Sequence, residues 1–311
     1  MASRIPGKIL IIGATGAVAS QLTKTLLSLP NPPPLRLSTR RKTDAVFPAC
    51  VQDIFNVEVV QADLTDPSTY PALFNPGADG VNITKLFLYA PPTPPPSVKE
   101  LIAYAKNAGV QYITFLSSYG VRFVPDGYIA HHHGIHEDAI KNAGIKHTFL
   151  RPGTFASNAV NFFIPMVKAQ PGYGEYAANG QGKLVLPLPF PGMLCAPVAE
   201  KDIADVAAVA LSTDRLVDQV VELCGTRVLS IEQQVEVINR VRREEGKVEI
   251  EVLGVGEDEW VAKVAGVLPE PVAREFMNWW RKCDGVVEMD PSIPSRSRLV
   301  RQHAGASVLL Y

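Results

Sequence analysis

Four of the six histidines in the chain lie close together, at His131, His132, His133 and His136. Imidazole titrates near neutral pH, so a histidine here could serve as a general acid or base. On a helix, His132 and His136 would share a face, but two ligands are too few for a protein metal site, and we assign no metal. A third interpretation is plainer: His133 bonds a sugar hydroxyl, and its neighbours occupy a solvated helix start. The segment itself leaves these alternatives open.

A glycine turn near the N-terminus has the form of a phosphate-binding loop. A short apolar run ending at Ile12 predicts a buried strand, and Gly13 and Gly16 follow it. Apolar residues then recur at helical spacing from Ala17 to Leu29. Without side chains, the backbone can approach a pyrophosphate, and free N–H groups at the helix start point toward it. The sequence therefore predicts a dinucleotide-binding turn.

The second predicted strand, Leu35 to Thr39, ends in basic residues instead of an acid. In NAD-binding versions of this arrangement, an acid about 20 residues past the glycines binds the ribose hydroxyls. Here Arg40 and Arg41 stand at that point. A guanidinium grips a 2′-phosphate with two hydrogen bonds, whereas a carboxylate would repel it. We predict NADP(H) over NAD, with a solvated basic turn as the alternative.

The composition excludes several classes of protein. The chain has 311 residues, of which 47% are apolar and 20% charged, and its net charge is −1, which argues against nucleic acid as the main partner. Its 4 cysteines show no paired spacing, so neither a zinc site nor a disulfide framework is predicted. No signal peptide or membrane-spanning run is recognisable. We expect a cytoplasmic protein, monomeric or weakly dimeric, that acts on a small molecule away from membranes.

Predicted strands and helices alternate with short connections, the pattern of βαβ units in a parallel sheet. We therefore predict an α/β fold: a doubly wound parallel-sheet Rossmann domain over residues 1–155, with a smaller, partly helical C-terminal region. The chain is expected to return to the first domain at about 195–225 and 246–254, where Val248 to Leu253 would add a strand to the main sheet. Residues 156–194 and 255–311 would form the substrate-binding region.

Several segments together carry a family resemblance. They are Gly13-Ala-Thr-Gly16, Ala62-Asp63-Leu64, the strand reaching Ser117-Ser118, the run from Ala143 through Phe155 to Asn158, and the segment from Ala199 to Ala207. Over about residues 6–265, the chain resembles an atypical short-chain dehydrogenase/reductase of the NmrA-like kind. The resemblance implies an NADP-binding Rossmann domain and a C-terminal region that together enclose a substrate cleft.

The chain departs from this family's chemistry at one place. Classical members use a Ser and a Tyr-x-x-x-Lys pair, in which the Tyr protonates a carbonyl oxygen and the Lys lowers the Tyr pKa and holds the nicotinamide ribose. Matching the family's helix puts His133 at the Lys position and Ile129 at the Tyr position. Ser118 remains, and Tyr128 is displaced by one residue. The resemblance therefore makes His133, Ser118 and Tyr128 the predicted catalytic residues.

Cofactor contacts are expected along the carboxyl edge of the sheet. Asp63 could receive the adenine amino group, cap the following helix, or do both. The predicted cofactor-binding residues are Gly13, Thr15, Gly16, Ala17, Val18, Thr39, Arg40, Arg41, Asp63, Leu64, Tyr89, Ala90, Pro91, Ser117, His133, Pro152, Thr154 and Phe155.

The predicted substrate contacts are Tyr119, Asn158 and Phe162, the last two at the start of an apolar stretch that suits a pocket wall or ordinary core. An aromatic stripe in the two closing helices is predicted to be core and not a ligand-binding wall; it comprises Trp260, Phe276, Trp279 and Trp280.

Three functions fit these observations. The leading one is an NADPH-dependent reductase acting on a small, largely apolar carbonyl, enone or imine in secondary metabolism, in which Ser118 orients the acceptor and His133 or Tyr128 manages the proton. The second is a non-redox isomerase, cyclase or lyase in which a His moves a proton. The third is a non-enzymatic NADP(H) sensor that binds a protein partner, a role found among NmrA-like proteins. A closed aromatic cleft would favour an enzyme, and exposed apolar C-terminal helices would favour the sensor.

Overall fold

The computed structural model describes residues 7–41, 47, 56–77, 79–90, 98–168, 184–265 and 268–287. Its central element is a sheet of seven strands, all parallel, in the order β3-β2-β1-β4-β5-β6-β9. These strands are β1 (Lys8–Ile11), β2 (Leu35–Thr39), β3 (Val57–Gln61), β4 (Ile83–Tyr89), β5 (Tyr112–Leu116), β6 (Lys146–Pro152) and β9 (Gln219–Leu223). This order confirms the predicted doubly wound α/β fold.

Within the described residues, some helices connect successive strands of the main sheet, as predicted. The others belong to the C-terminal region. The helices are α1 (Ala17–Leu27), α2 (Tyr70–Phe74), α3 (Lys99–Asn107), α4 (Gly120–Phe123), α5 (Tyr128–Asn142), α6 (Ile164–Lys168), α7 (Glu200–Ser212), α8 (Ile231–Glu244), α9 (Glu257–Val264) and α10 (Glu270–Cys283). A π-helix, Ala159–Phe163, precedes α6. Among the described residues, no helix combines the length and apolar content needed to cross a bilayer.

The sheet is buried on both faces, as a parallel sheet requires. All four residues of β1 are buried. Because side chains alternate along a strand, Ile9 and Ile11 pack with α1 and α7 on one face. Leu10 and Ile12 pack with α3 and α5 on the other face. The parallel arrangement gathers the carboxyl ends of the strands, and with them the glycine turn, along one edge.

A separate hydrophobic core supports the C-terminal region, with Trp260 fully buried among its members. Two small sheets belong to this region. In one, β8 (Leu194–Cys195) pairs antiparallel with β10 (Leu229–Ser230). In the other, β7 (Leu184–Leu188) pairs parallel with β11 (Ile250–Gly254).

The expected return of the chain to the main sheet is correct for one segment and wrong for another. Helix α7 and strand β9 do join the Rossmann domain. The strand predicted at Val248 to Leu253 is observed as β11, but it pairs with β7 outside the main sheet. Only Ile250 of β11 is buried, whereas the central strand β4 of the main sheet is buried on both faces. A strand with one solvated face suits a peripheral two-stranded sheet.

Candidate active site

The glycine turn connects β1 to α1 and leaves room for a ligand. Gly13 has a φ of +67°, and a Cβ placed there would lie 2.6 Å from the Tyr89 ring, so only glycine fits. Gly16 is the N-cap of α1, and no side chain caps the helix. The first turn of α1 contains no acidic residue. Its free N–H groups and the positive end of the helix dipole therefore favour an anion.

A cavity of about 570 Å³ lies directly over this turn. It is flanked by the carboxyl ends of β1, β2, β3, β4 and β5, as the phosphate-loop prediction requires. Eleven of the predicted cofactor-binding residues line it: Gly13, Thr15, Gly16, Ala17, Val18, Thr39, Arg40, Arg41, Leu64, Tyr89 and Phe155. The predicted cofactor contacts did not include six further residues that line it: Ile12, Ala19, Ser38, Ala62, Phe87 and Leu116.

Arg40 and Arg41 directly follow the last residue of β2 and line the cavity. Asp63, in contrast, does not line it. Its Oδ1 accepts hydrogen bonds from Thr65 N at 2.9 Å and Thr65 Oγ1 at 2.8 Å. The Thr65 backbone bond is the main cause of a lowered Asp63 pKa, which the Thr65 hydroxyl and the Arg40 charge reinforce against the effect of burial. The structure thus supports Asp63 as a turn-forming residue and corrects its placement among the cofactor contacts.

A second cavity, of about 330 Å³, adjoins the first. Tyr89, Leu116 and Phe155 line both cavities, so the two lie side by side at these residues. We call it the aromatic pocket because Phe162, Phe163, Phe276, Trp279 and Trp280 line it together with aliphatic residues. The predicted residues Ala90, Ser117, Ser118, His133, Pro152, Thr154, Asn158 and Phe162 also line this pocket. Among its described lining residues there is no Asp, Glu, Lys or Arg.

The aromatic stripe of the closing helices divides into two roles. Trp260 is core, as predicted, with 1% of its surface exposed. Phe276, Trp279 and Trp280 line the pocket, so the prediction that the whole stripe is core is wrong. These rings are held by contacts with other rings: Phe276 meets Phe162 with centroids 5.3 Å apart, and Trp280 meets Trp260 at 5.0 Å. Helical periodicity alone does not separate a core face from a cavity wall, because both are apolar.

The π-helix Ala159–Phe163 also contributes to the wall of the pocket. Single π-turns often occur at functional sites because the extra residue re-aims the side chains. Here Asn158, Ala159, Phe162 and Phe163 all face the pocket. The predicted substrate contacts Asn158 and Phe162 therefore do line a cavity.

A buried carboxylate locks α5 to the ends of β5 and β6. Glu137 is 1% exposed, and its Oε1 accepts hydrogen bonds from Ser117 Oγ at 2.6 Å and Arg151 Nε at 2.9 Å. Arg151 Nη2 reaches Oε2 at 2.6 Å, completing a two-pronged ion pair. The Ser117 hydroxyl is thereby committed to the protein. Ser118 Oγ accepts from Gly120 N at 3.1 Å and lies in the pocket lining.

His133 lies on α5 one turn before Glu137 and faces the aromatic pocket. Its Nδ1 is buried and meets no partner within the described residues. Burial, reinforced by His132 and His136, lowers the pKa of His133 to about 3. The pKa of His136 is lowered to about 4, again mainly by burial. The sequence led us to expect a His133 pKa near neutrality, in reach of physiological pH. That expectation is wrong in this structure, because desolvation disfavours the charged imidazole.

Three predicted site features fall elsewhere. Tyr128 is 38% exposed, stacks on His132 at 6.0 Å, and does not line either cavity, so the structure corrects its assignment as a proton donor. Tyr119 is buried and stacks on Phe123 with ring centroids 5.6 Å apart, and it is not among the described residues that line the aromatic pocket. Pro91 lies outside the described residues. No group of three or more His, Cys, Asp and Glu side chains within the described part is arranged to hold a metal.

The region containing the glycine turn matches a known protein family. Residues 13–174 match the model of a family described as NAD(P)H-binding. The chain belongs to this NAD(P)H-binding family. The match begins at Gly13 and extends past the π-helix, so it includes the turn and most of the residues that line both cavities. The cofactor prediction is confirmed at the level of NAD(P)H.

Individual relatives agree with this assignment. The chain is 27% identical over 292 residues to a nitrogen metabolite regulation-like protein of Gibberella fujikuroi, covering 86% of this chain and 83% of the relative. This similarity confirms the NmrA-like resemblance. An NAD(P)H azoreductase of Xenophilus azovorans is 26% identical, with 71% of this chain and 69% of the relative covered. The NADPH-dependent quinone oxidoreductase of Escherichia coli, solved with NADPH, has the same fold, with a TM-score of 0.65, 21% identity and 93% of each chain covered.

Proposed function

We propose that this chain is an NADPH-dependent reductase whose acceptor is a small, uncharged, largely apolar molecule with a carbonyl, enone or imine group. One observation carries the proposal: the cavity over the glycine turn lies directly beside the aromatic pocket, with Tyr89, Leu116 and Phe155 lining both. A dinucleotide held at the turn would therefore present its reactive end to the pocket. An apolar pocket without charged lining residues would favour an uncharged acceptor, since burying a charge without a partner is costly.

The cofactor would be held by this chain's backbone and by two guanidinium groups. The free N–H groups of the first turn of α1 suit the pyrophosphate, and Arg40 and Arg41 suit a 2′-phosphate. When bound, NADPH supplies the hydride that reduces the acceptor. We propose residues 1–155, with α7 and β9, as the cofactor domain, and the elements around the aromatic pocket as the substrate-binding region.

The proposal assigns different tasks to the polar groups of the pocket. Ser118 would orient the acceptor, since the Ser117 hydroxyl is committed to Glu137. His133 would act as a neutral hydrogen-bonding group toward cofactor or acceptor, because its lowered pKa leaves it uncharged over the physiological range. The aromatic walls would exclude water from the acceptor.

A pocket-filling variant tests this function. Ala159 lines the aromatic pocket, whereas Ala156, three residues earlier, is exposed. We expect the wild-type chain to consume NADPH with at least one member of a panel of quinones, azo compounds, enones and imines. Ala159→Trp should lower kcat/KM by about tenfold or more, a transition-state loss of about 1.4 kcal/mol, and leave the NADPH Kd unchanged. Ala156→Trp should change neither. Full activity in Ala159→Trp would contradict the assignment of the pocket.

The relative named as a regulation-like protein supports one alternative, a non-enzymatic NADP(H) sensor. Exposed apolar side chains on α8, Val237 at 48% and Val241 at 51%, are compatible with a protein partner there. The two functions differ in one measurement. A sensor would bind NADPH tightly and consume none of it across the whole panel, whereas the reductase consumes it.

A further inference from the structure

Gln234 is a buried amide in an otherwise apolar part of the aromatic pocket. It is 7% exposed and lines the cavity, as do Ile231 and Met193. Gln234 belongs to no recognised sequence motif, and the proposed reduction assigns it no role. A buried polar group in such a wall costs free energy unless a partner satisfies it, so the direction of its amide is informative.

The amide is fixed by one hydrogen bond. Gln234 Nε2 donates to Cys195 Sγ at 3.2 Å. Cys195 is itself held on β8, directly opposite Leu229 of β10 in the antiparallel ladder. The sulfur takes one of the two N–H groups of Nε2, and the carbonyl oxygen Oε1 is the acceptor of the amide. Oε1 accepts no hydrogen bond from the part of the chain that the structure describes.

The backbone that carries Gln234 is also fixed. Helix α8 begins with a capping box, in which Ser230 Oγ accepts from Gln233 N at 3.1 Å and Gln233 Oε1 accepts from Ser230 N at 2.8 Å. This box sets the first turn of α8, and Gln234 follows it directly. The acceptor oxygen is thus pre-organised by the capping box, the β8–β10 ladder and the Cys195 bond, which lowers the entropic cost of using it.

We propose that Gln234 is a specificity-determining residue, whose Oε1 selects pocket ligands that carry a hydroxyl or N–H donor. The proposal rests on the proposed function, because it takes the aromatic pocket as the substrate site. A donor would satisfy the oxygen, whereas an ether or methyl group in its place would leave the oxygen buried and unpaired. Cys195 is then a positioning residue, since it contacts the amide and is not itself among the pocket residues.

The test compares two ligands of similar shape on the full chain. With NADP⁺ saturating, 4-hydroxyazobenzene and 4-methoxyazobenzene are titrated, and binding is followed by quenching of tryptophan fluorescence, since Trp279 and Trp280 line the pocket. We expect the wild-type chain to bind the phenol about 3- to 10-fold more tightly than its methyl ether, the range of one neutral hydrogen bond. Gln234→Leu should abolish this ratio, and Cys195→Ala should reduce it.

Met193→Leu is the matched control, because it changes the same wall without removing a hydrogen-bonding group. It should shift both affinities together and keep their ratio. Equal or absent binding of the two ligands by the wild-type chain would overturn the proposal, as would a ratio that survives in Gln234→Leu. Should that variant fail to fold, Cys195→Ala decides: an unchanged ratio there overturns the proposal. Because the readout is binding, a chain that shows the ratio but never consumes NADPH contradicts the proposed reduction and leaves the Gln234 assignment supported.

Discussion

The two adjoining cavities are built in different ways. The glycine-turn cavity is formed largely by residues at or just past the carboxyl ends of strands, such as Gly13, Thr39 and Arg40. The aromatic pocket is formed by side chains from distant segments, between Tyr89 on the sheet and Trp280 on α10. The first carries two guanidinium groups, and the second has no charged side chain among its described lining residues.

This difference indicates that the fold itself determines the glycine-turn cavity, whereas individual side chains determine the shape of the aromatic pocket. A glycine turn between a buried strand and a helix offers the same N–H groups whatever surrounds it. A pocket lined by Phe162, Phe276 and Trp279 takes its shape from each ring, so each substitution changes what it admits. Binding of cofactor and choice of acceptor should therefore respond to separate sets of mutations.

The largest expected effect is on the aromatic pocket. Trp279 is 7% exposed and lines the pocket, and Trp279→Ala should lower the free energy of unfolding by about 3–5 kcal/mol, the usual loss for a buried Trp. Acceptor binding should weaken, and the NADPH Kd of the folded protein should not change. Phe149→Ala is the matched control, because Phe149 is fully buried in the core of the main sheet and lines neither cavity: it should lose similar stability and keep acceptor specificity. Denaturant unfolding and ligand titration measure both effects.

The next effect concerns the glycine turn. Gly13→Ala places a Cβ at a φ of +67° and 2.6 Å from the Tyr89 ring, so the turn must shift. We expect NADPH affinity to fall about 10- to 100-fold, in line with 1–3 kcal/mol of backbone strain. Gly109→Ala imposes a similar strain at a φ of +88° with no atom nearby, and it lies outside both cavities. Equal NADPH affinity in the two variants would contradict the account of the turn.

The burial of His133 and His136 should make the stability of the protein sensitive to acid. The folded pKa values of His133 and His136 are about 3 and about 4, below the value of about 6.5 in an unfolded chain. The unfolded state therefore binds more protons, so stability is complete above about pH 6.5 and decreases as the pH falls toward the folded pKa. Between pH 7 and pH 5 each histidine should account for about 1–2 kcal/mol of loss.

Thermal unfolding at a series of pH values checks this slope. His136 packs beside the Phe115 ring, and His136→Phe should reduce the pH dependence of stability by the contribution of one histidine. The exposed His131 is the control, and His131→Gln should leave the slope as in the wild-type chain. A wild-type stability that does not change between pH 7 and pH 5 would contradict the buried, neutral state of the pair.

The smallest effect is expected at Tyr128. Since its side chain is exposed and outside both cavities, Tyr128→Phe should change stability by less than about 0.5 kcal/mol. NADPH binding and acceptor turnover should equal those of the wild-type chain, whereas His133→Ala should impair turnover. Loss of turnover in Tyr128→Phe would restore the tyrosine as a proton donor and contradict the position of its ring.

The contrast between the two cavities also explains which parts of the fold and of the candidate site could be predicted from the sequence. The Rossmann sheet and the glycine-turn cavity follow from local patterns, because each strand end and the residues after it are contiguous in the chain. Asp63 was misplaced because a carboxylate near a turn can bond the backbone two residues on, here Thr65, as well as a ligand. Gln234 and Trp279 carry no local signal for a pocket: whether they face a cavity or a core depends on how α8 and α10 pack against segments far away in sequence.

The most direct test of the central claim is the ratio of NADPH to NADH affinity, measured by fluorescence titration of the wild-type chain, Arg40→Ala and Arg215→Ala. Arg40 stands at the rim of the glycine-turn cavity, whereas the exposed Arg215 follows α7 and lines neither cavity. The account predicts that the wild-type chain prefers NADPH and that Arg40→Ala weakens NADPH about 10- to 100-fold, the loss of a charge-assisted hydrogen bond. NADH affinity should not change, and Arg215→Ala should match the wild-type chain. Equal affinities for NADPH and NADH in the wild-type chain, or an unchanged ratio in Arg40→Ala, would contradict it.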